Sequence, residues 1–173
     1  MKVSDVYTPA QLELIATIQH PRRTLLRVTG VLRSAGLSPD FAGIPPAVLA
    51  KAAARGTAVH AACQYLDEGC LDETSLDPQI IGYVMAYRQF KINSGFRVLQ
   101  TEQRLTHSTL GFTGTPDVIG HLNGQVAVID RKATAAIDPV VAVQLAAYAM
   151  MSKHKVTHRY ALHLRRDGTY RLH

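Results

Sequence analysis

The sequence predicts an α/β protein in which a mixed central β-sheet of about five strands is flanked by helices. The first half of the 173 residues contains long alanine-rich and apolar stretches bounded by helix-start and helix-stop residues. The second half is richer in β-branched residues, and its Asn-Gly and Asp-Gly dipeptides are flanked by apolar runs, as in β-hairpins. We therefore expect a single domain over residues 1–173, mainly helical over 1–95, with the sheet and one crossover helix over 96–173.

The composition excludes several classes of protein. No run approaches the roughly eighteen apolar residues of a membrane-spanning helix, so we expect no membrane partner. Two cysteines are too few for a disulfide framework, a structural zinc site or an iron–sulfur cluster, and a reducing cytoplasm is the expected compartment. The formal net charge of +6 favours a polyanionic partner, with nucleic acid first.

Helices are predicted in the first half from their start and stop signals. Thr8-Pro9 places a capping threonine before a proline at the first helical position, and Pro46 begins the longest alanine-rich stretch. Gly69 and Gly95 end two of the helices, because glycine readily adopts the left-handed conformation of a helix C-terminus. The predicted helices cover residues 9–19, 29–35, 46–69 and 78–94.

Three strands, a helix and two further strands are predicted in the second half. FRVLQTEQRLTH alternates enough to form one strand, and PDVIGHL and QVAVIDRK form a hairpin around Asn123-Gly124. Asp138-Pro139 caps the helix PVVAVQLAAYAMMSK, which leads by a parallel crossover into a second hairpin around Asp167-Gly168. The sequence stops at His173, beside the last predicted strand, which leaves open a longer natural chain.

The first hairpin gathers charged residues. If Asn123-Gly124 forms the two-residue loop, Leu122 faces Gln125 and Asp117 lies directly opposite Asp130. Lys132 is two residues beyond Asp130, so the period of a strand places both on one face. The turn therefore predicts a patch of two carboxylates and one ammonium group.

Two carboxylates this close repel each other unless a proton or a cation lies between them. Their oxygen atoms suit a hard divalent cation, Mg²⁺ or Mn²⁺, and an adjacent lysine stabilises a developing anion or orients an attacking water. The alternative is that Asp117 caps the turn at Pro116 while Asp130 and Lys132 form a peripheral salt bridge. The pattern favours the metal site over this alternative.

Pro116-Asp117 and Asp130-Arg131-Lys132 resemble the signature of the PD-(D/E)xK nucleases. His60, on the helix before the sheet, and Gln144 and Tyr148, on the helix after the lysine, are similar to the further motifs of the RecB-like branch of that superfamily. The resemblance runs from about Arg55 to Tyr148, and it implies a restriction-endonuclease-like core.

The resemblance also implies the residues of a metal site. Its ligands would be His60, Asp117, Asp130 and the backbone carbonyl of Arg131, with Mg²⁺ as cofactor and Mn²⁺ as substitute. On pattern alone, a histidine in an alanine-rich helix is more often a core residue than a ligand. Glu102, in the strand before the hairpin, resembles a recurrent glutamate of the family and is a weaker candidate.

The remaining motif residues are implied to serve the reaction. Lys132 would position the attacking water or neutralise the charged phosphorane, together with the catalytic carboxylates Asp117 and Asp130. Gln144 and Tyr148 are four residues apart and share one helix face, where they would hold the lysine region and a DNA phosphate. An ordinary half-polar interface would place them in the same way. Arg131 is expected to point away from Asp130 as a packing or salt-bridge residue.

By analogy with the family, we expect a phage or prophage exonuclease that acts on DNA in the cytoplasm of a bacterial host. Two alternatives are an inert DNA-binding protein of the same fold and a structure-selective endonuclease or resolvase. The sequence leaves open whether a homo-oligomer or a phage recombination protein is a further partner.

Overall fold

A computed structural model of the protein describes residues 25–173, so the predicted helix over residues 9–19 lies outside the described residues. Four α-helices and eight strands are present in the described part. In chain order they are β1 (Leu26–Arg27), α1 (Val28–Ser34), α2 (Pro46–Glu68), α3 (Ile81–Ser94), β2 (Arg97–Thr101), β3 (Leu105–His107), β4 (Phe112–Gly114), β5 (Val118–Leu122), β6 (Gln125–Lys132), α4 (Val140–Met151), β7 (His158–Leu164) and β8 (Tyr170–Leu172).

The main sheet has five strands in the order β2-β5-β6-β7-β8. Strands β6 and β7 pair in parallel and the other neighbours pair antiparallel, which confirms the mixed sheet of an α/β protein. Helix α4 connects β6 to β7, so the predicted parallel crossover is confirmed. None of the helices within residues 25–173 has both the length and the apolar content to cross a membrane.

Both predicted hairpins form. Asn123 and Gly124 have φ angles of 51° and 77°, the left-handed conformations of a two-residue hairpin loop, and Leu122 pairs with Gln125 as predicted. The ladder ends at Val118 paired with Ile129. Asp117 therefore lies just before β5, one position beyond the last ladder pair and next to Asp130 in the same register.

Helices α1 and α2 agree with their predicted positions, and α2 ends at Gly69 in the left-handed conformation. Helix α3 begins at Ile81, three residues later than predicted. The reason is a turn at Asp77, whose carboxylate accepts a hydrogen bond from the backbone N–H of Gln79 and whose carbonyl accepts one from Ile80.

The prediction of one strand over FRVLQTEQRLTH is wrong. This stretch forms β2 and β3, which belong to different sheets, because Glu102 between them has a φ angle of 47° and breaks the extended backbone. Strand β3 joins β4 and β1 in a second, three-stranded sheet that the sequence pattern did not indicate. Strands β1 and β4 have two and three residues, too few to show an alternation of apolar and polar residues.

Two apolar clusters cover the two faces of the main sheet. Val118 and Ile129 pack with α2 and α3 on one face, whereas Ile119 and Val128 pack with α1 and α4 on the other. Side chains continue to alternate between the two faces at the charged end of β6. Asp130 accordingly faces α4, and the next residue, Arg131, faces α2 and α3.

Helix α3 packs closely against the turn between β7 and β8 at Gly82. A Cβ atom at Gly82 would collide with the backbone carbonyl of Arg166, which has no rotamer to move away. We expect Gly82→Ala to lower the free energy of unfolding by about 2 kcal/mol, as overpacking does. Gly56→Ala in α2 is the matched control, because a Cβ there meets no atom within 4 Å, and alanine should stabilise that helix by about 0.5–1 kcal/mol. Urea denaturation of both variants measures the difference, and equal stability of the two would contradict the packing.

Candidate metal centre

Three side chains meet where the β5–β6 ladder ends. Helix α2 presents His60, whose Nδ1 lies 3.3 Å from Oδ1 of Asp117 and 3.8 Å from Oε1 of Glu102. One nitrogen or oxygen atom from each of the three residues lies within 4.8 Å of the other two. The structure thus brings Glu102, the weaker candidate from the sequence, into the same cluster as His60 and Asp117.

The backbone around Glu102 explains its position. Its backbone N–H donates to the carbonyl of Asp117 at 3.0 Å, and the hydroxyl of Thr101 donates to the same carbonyl at 3.0 Å. These bonds hold the end of β2 against the start of β5. The left-handed φ angle of Glu102 then turns the chain out of the sheet, a strained conformation that typically occurs at functional sites.

The cluster attracts positive charge. Burial lowers the pKa of His60, but the carboxylates of Asp117 and Glu102 outweigh burial and raise that pKa to about 10. Burial likewise opposes ionisation of Asp117, yet His60, Arg131 and Lys132 hold its pKa below the usual range. At neutral pH a protonated imidazole therefore lies between two carboxylates, in a place that a metal cation would take with release of that proton.

A second group of side chains lies on the α4 face of the same strand end. Asp130 is 1% exposed, and its Oδ2 lies 2.8 Å from Nζ of Lys132. Gln144 donates from Nε2 to Oη of Tyr148 at 2.8 Å and to Oδ1 of Asp130 at 3.4 Å. Lys132, Asp130, Gln144 and Tyr148 thus lie together, with Gln144 contacting the aspartate of the ion pair.

Asp117 links the two groups. One of its oxygens faces His60, and the other accepts a hydrogen bond of 2.6 Å from the backbone N–H of Arg131. Burial and the charge of Asp117 raise the pKa of Asp130 to about 6, against the opposing effect of Lys132. Burial lowers the pKa of Lys132, but Asp130 reverses this and raises it, so the ammonium stays charged at neutral pH.

Glu102 lines two cavities. One, of about 430 Å³, runs along α2 and is lined by Gly56, Thr57, His60, Ala61, Gln64 and Glu102. The other, of about 300 Å³, is lined by residues of β1, α1, β4 and α4, and it includes the basic side chains Arg27 and Arg104. The three-residue cluster therefore borders both cavities through Glu102, and one of the two is lined by basic side chains.

The donor set fits a divalent cation. Carboxylate oxygens are the ligands that Mg²⁺ and Mn²⁺ prefer, and the imidazole nitrogen of His60 is a further donor that suits Mn²⁺ better than Mg²⁺. Asp130 lies outside this group of three, in the ion pair with Lys132. The carbonyl of Arg131 as a ligand remains a prediction.

Sequence reasoning did not find Asp67 or two of the side chains that bind it, Tyr87 and Lys91. Asp67 lies seven residues after His60, two helical turns along the same face of α2, and this spacing was the available signal. Its carboxylate is fully buried and binds Tyr87, Lys91 and Arg131. The predicted salt-bridge role of Arg131 is confirmed.

Comparison with known protein families gave no match, and neither did a search of curated proteins. A functional assignment therefore depends on the motif residues and on the geometry that joins them.

The raised pKa of Asp130 predicts a pH-dependent effect on stability without metal. Because its pKa is higher in the folded than in the unfolded protein, ionising this buried group costs stability as pH rises from about 4 to 6, by up to about 3 kcal/mol. Asp130→Asn should therefore be more stable than wild type at pH 7.5 in EDTA, and the gain should vanish near pH 4.

Urea denaturation at the two pH values measures this gain. Asp72→Asn is the control, because hydrogen bonds from Thr74 lower the pKa of Asp72 and removal of its charge should give no gain at pH 7.5. A stability difference between Asp130→Asn and wild type that did not depend on pH would contradict the assignment.

Proposed function

We propose that this protein is a Mg²⁺- or Mn²⁺-dependent nuclease that hydrolyses phosphodiester bonds in DNA, of the RecB-like PD-(D/E)xK type. One observation carries the proposal. His60, Glu102 and Asp117 converge at the sheet end where the Asp130–Lys132 ion pair also lies. Metal-binding donors and the charged lysine of β6 thus lie at one end of the sheet, a combination that suits metal-assisted phosphoryl chemistry.

His60, Glu102 and Asp117 would hold the metal, and Asp130 and the carbonyl of Arg131 are further proposed ligands. When bound, a divalent metal polarises the phosphate and lowers the pKa of a water molecule. Asp117 accepts a hydrogen bond from the backbone N–H of Arg131 through one oxygen, and its other oxygen is directed at His60. His60 would lose its proton on binding the metal.

Lys132 would act on the reacting phosphate. Its side chain is 23% exposed and its ammonium remains charged, so it can donate to a phosphate oxygen or to the attacking water from its place beside Asp130. Gln144 donates to Oη of Tyr148 at 2.8 Å and to Oδ1 of Asp130 at 3.4 Å, so it would help to orient the carboxylate that faces Lys132.

DNA is the proposed substrate because the surroundings of the site suit a polyanion. Arg27 and Arg104 line the cavity beside Glu102 and Tyr148, and the chain carries a formal net charge of +6. The preference for exonuclease action comes from the resemblance to the phage enzymes alone.

Cleavage of DNA tests the proposal. We expect wild type to degrade linear DNA in Mg²⁺ or Mn²⁺ and to be inactive in EDTA. Asp117→Asn, Asp130→Asn and Lys132→Ala should each lower the rate by about a hundredfold or more, because the asparagine variants weaken a proposed metal ligand and the alanine variant removes the cation that would act on the phosphate. Lys153→Ala, which changes an exposed lysine outside the cluster, should retain wild-type activity.

Covalently closed circular DNA is the second substrate in the same assay. An exonuclease degrades only the linear form, whereas an endonuclease cuts both. Binding of DNA without cleavage in either metal would refute the nuclease proposal and favour the inert DNA-binding alternative.

Thermal melting tests the metal separately from catalysis. A metal that binds only the folded protein should stabilise wild type by about 2.7 kcal/mol at a hundredfold excess over Kd. Asp117→Asn should lose most of this gain because a ligand is gone, whereas Lys132→Ala should keep it because the lysine serves the reaction. Melting in EDTA and in saturating Mn²⁺ provides the comparison, and an unchanged Tm of wild type would contradict a metal site.

A further inference from the structure

We propose that Arg131 is a positioning residue whose guanidinium holds Glu102 in the metal-binding arrangement and is itself anchored on Asp67. This inference rests on the metal site of the proposed function. It assigns a role in that site to the middle residue of the Asp130-Arg131-Lys132 motif, through its side chain.

The Arg131 guanidinium contacts the candidate metal cluster and Asp67 at the same time. Its Nη2 donates to Oε1 of Glu102 at 3.1 Å and to the carbonyl of Asp117 at 3.2 Å, while Nη1 donates to Oδ2 of Asp67 at 3.0 Å. The side chain is completely buried. A planar guanidinium presents its donors in a fixed fork, so the position of Asp67 determines where Glu102 is held.

The carboxylate of Glu102 has two basic partners. Of the residues that the structure describes, His60 and Arg131 are the ones whose basic groups make ion-pair contacts with its carboxylate. His60 is itself a proposed metal ligand, so its ring nitrogen would bind the metal when the site is loaded. Arg131 would then remain as the basic partner of Glu102, because a guanidinium keeps its charge in proteins.

The anchor is rigid. The carboxylate of Asp67 is fully buried and accepts hydrogen bonds from Oη of Tyr87 at 2.8 and 2.9 Å and from Nζ of Lys91 at 2.7 Å. The guanidinium of Arg131 also lies over the ring of Tyr87, 5.1 Å from its centroid. Helices α2 and α3 therefore fix one end of the fork.

Stability alone does not account for this network. A buried ion pair recovers little more than the cost of removing its charges from water, and apolar residues of the same volume stabilise a core as well or better. The network instead connects α3 to Glu102 and Asp117, two residues of the candidate metal cluster. This connection suits a role in orienting a metal-binding side chain. Groups that hold a metal ligand in place commonly contribute tenfold to a hundredfold in metal affinity.

Mn²⁺ titration by calorimetry tests the proposal with four proteins: wild type, Arg131→Lys, Glu102→Gln and the double variant. Lysine keeps the charge opposite Asp67 but lacks the fork. We expect Arg131→Lys to weaken Mn²⁺ binding by about tenfold or more when Glu102 is present. In the Glu102→Gln background the same change should have little further effect, because Arg131 acts through Glu102.

Arg88→Met is the matched control, because Arg88 lies on the same helix as Lys91 but pairs with Glu73, outside the Asp67 network, and its loss should leave Mn²⁺ affinity unchanged. If Arg131→Lys does not fold, Asp67→Asn takes its place, since it releases the anchor and should weaken Mn²⁺ binding only when Glu102 is intact. The proposal would be overturned if Arg131→Lys or Asp67→Asn bound Mn²⁺ as tightly as wild type. It would also be overturned if either change weakened Mn²⁺ binding equally with Glu102 intact and with Glu102→Gln. Wild type that binds Mn²⁺ but cuts no DNA would refute the nuclease function alone, whereas wild type that binds no Mn²⁺ would overturn this inference too.

Discussion

The need to compensate negative charge at one end of the sheet organises the rest of this structure. Glu102, Asp117 and Asp130 converge there, and each has a cationic partner: Arg131, His60 and Lys132, respectively. Carboxylates removed from water are costly unless they are paired, so their partners must be supplied by other elements. Helix α2 supplies one of the cations and strand β6 supplies two, one to each face.

The alternation of side chains along β6 divides this compensation between the two faces of the sheet. Asp130 and Lys132 lie with α4, whereas Arg131 points into the core below α2 and α3. Asp117 lies past the last ladder pair and bridges the division, with His60 on one oxygen and the Arg131 backbone on the other. Helices on both faces of the sheet therefore contribute side chains to one site. This is possible because the site lies at the end of the sheet, whereas a charged group at its centre would meet only one face.

The part of the site that follows from local chemistry was predictable. Turn residues set the hairpin register, and that register alone is enough to place Asp117 next to Asp130. Glu102 was underrated because its place depends on a left-handed residue between two sheets, which no periodicity shows. The Asp67–Arg131 contact joins residues 64 positions apart, and only the tertiary fold brings them together.

The most direct test of the candidate metal centre is a crystal structure of the protein with Mn²⁺, in which anomalous scattering locates the ion independently of any activity. We expect an anomalous peak about 2 Å from an imidazole nitrogen of His60 and from carboxylate oxygens of Glu102 and Asp117. Absence of a peak at saturating Mn²⁺, or a peak bound only by other residues, would contradict it.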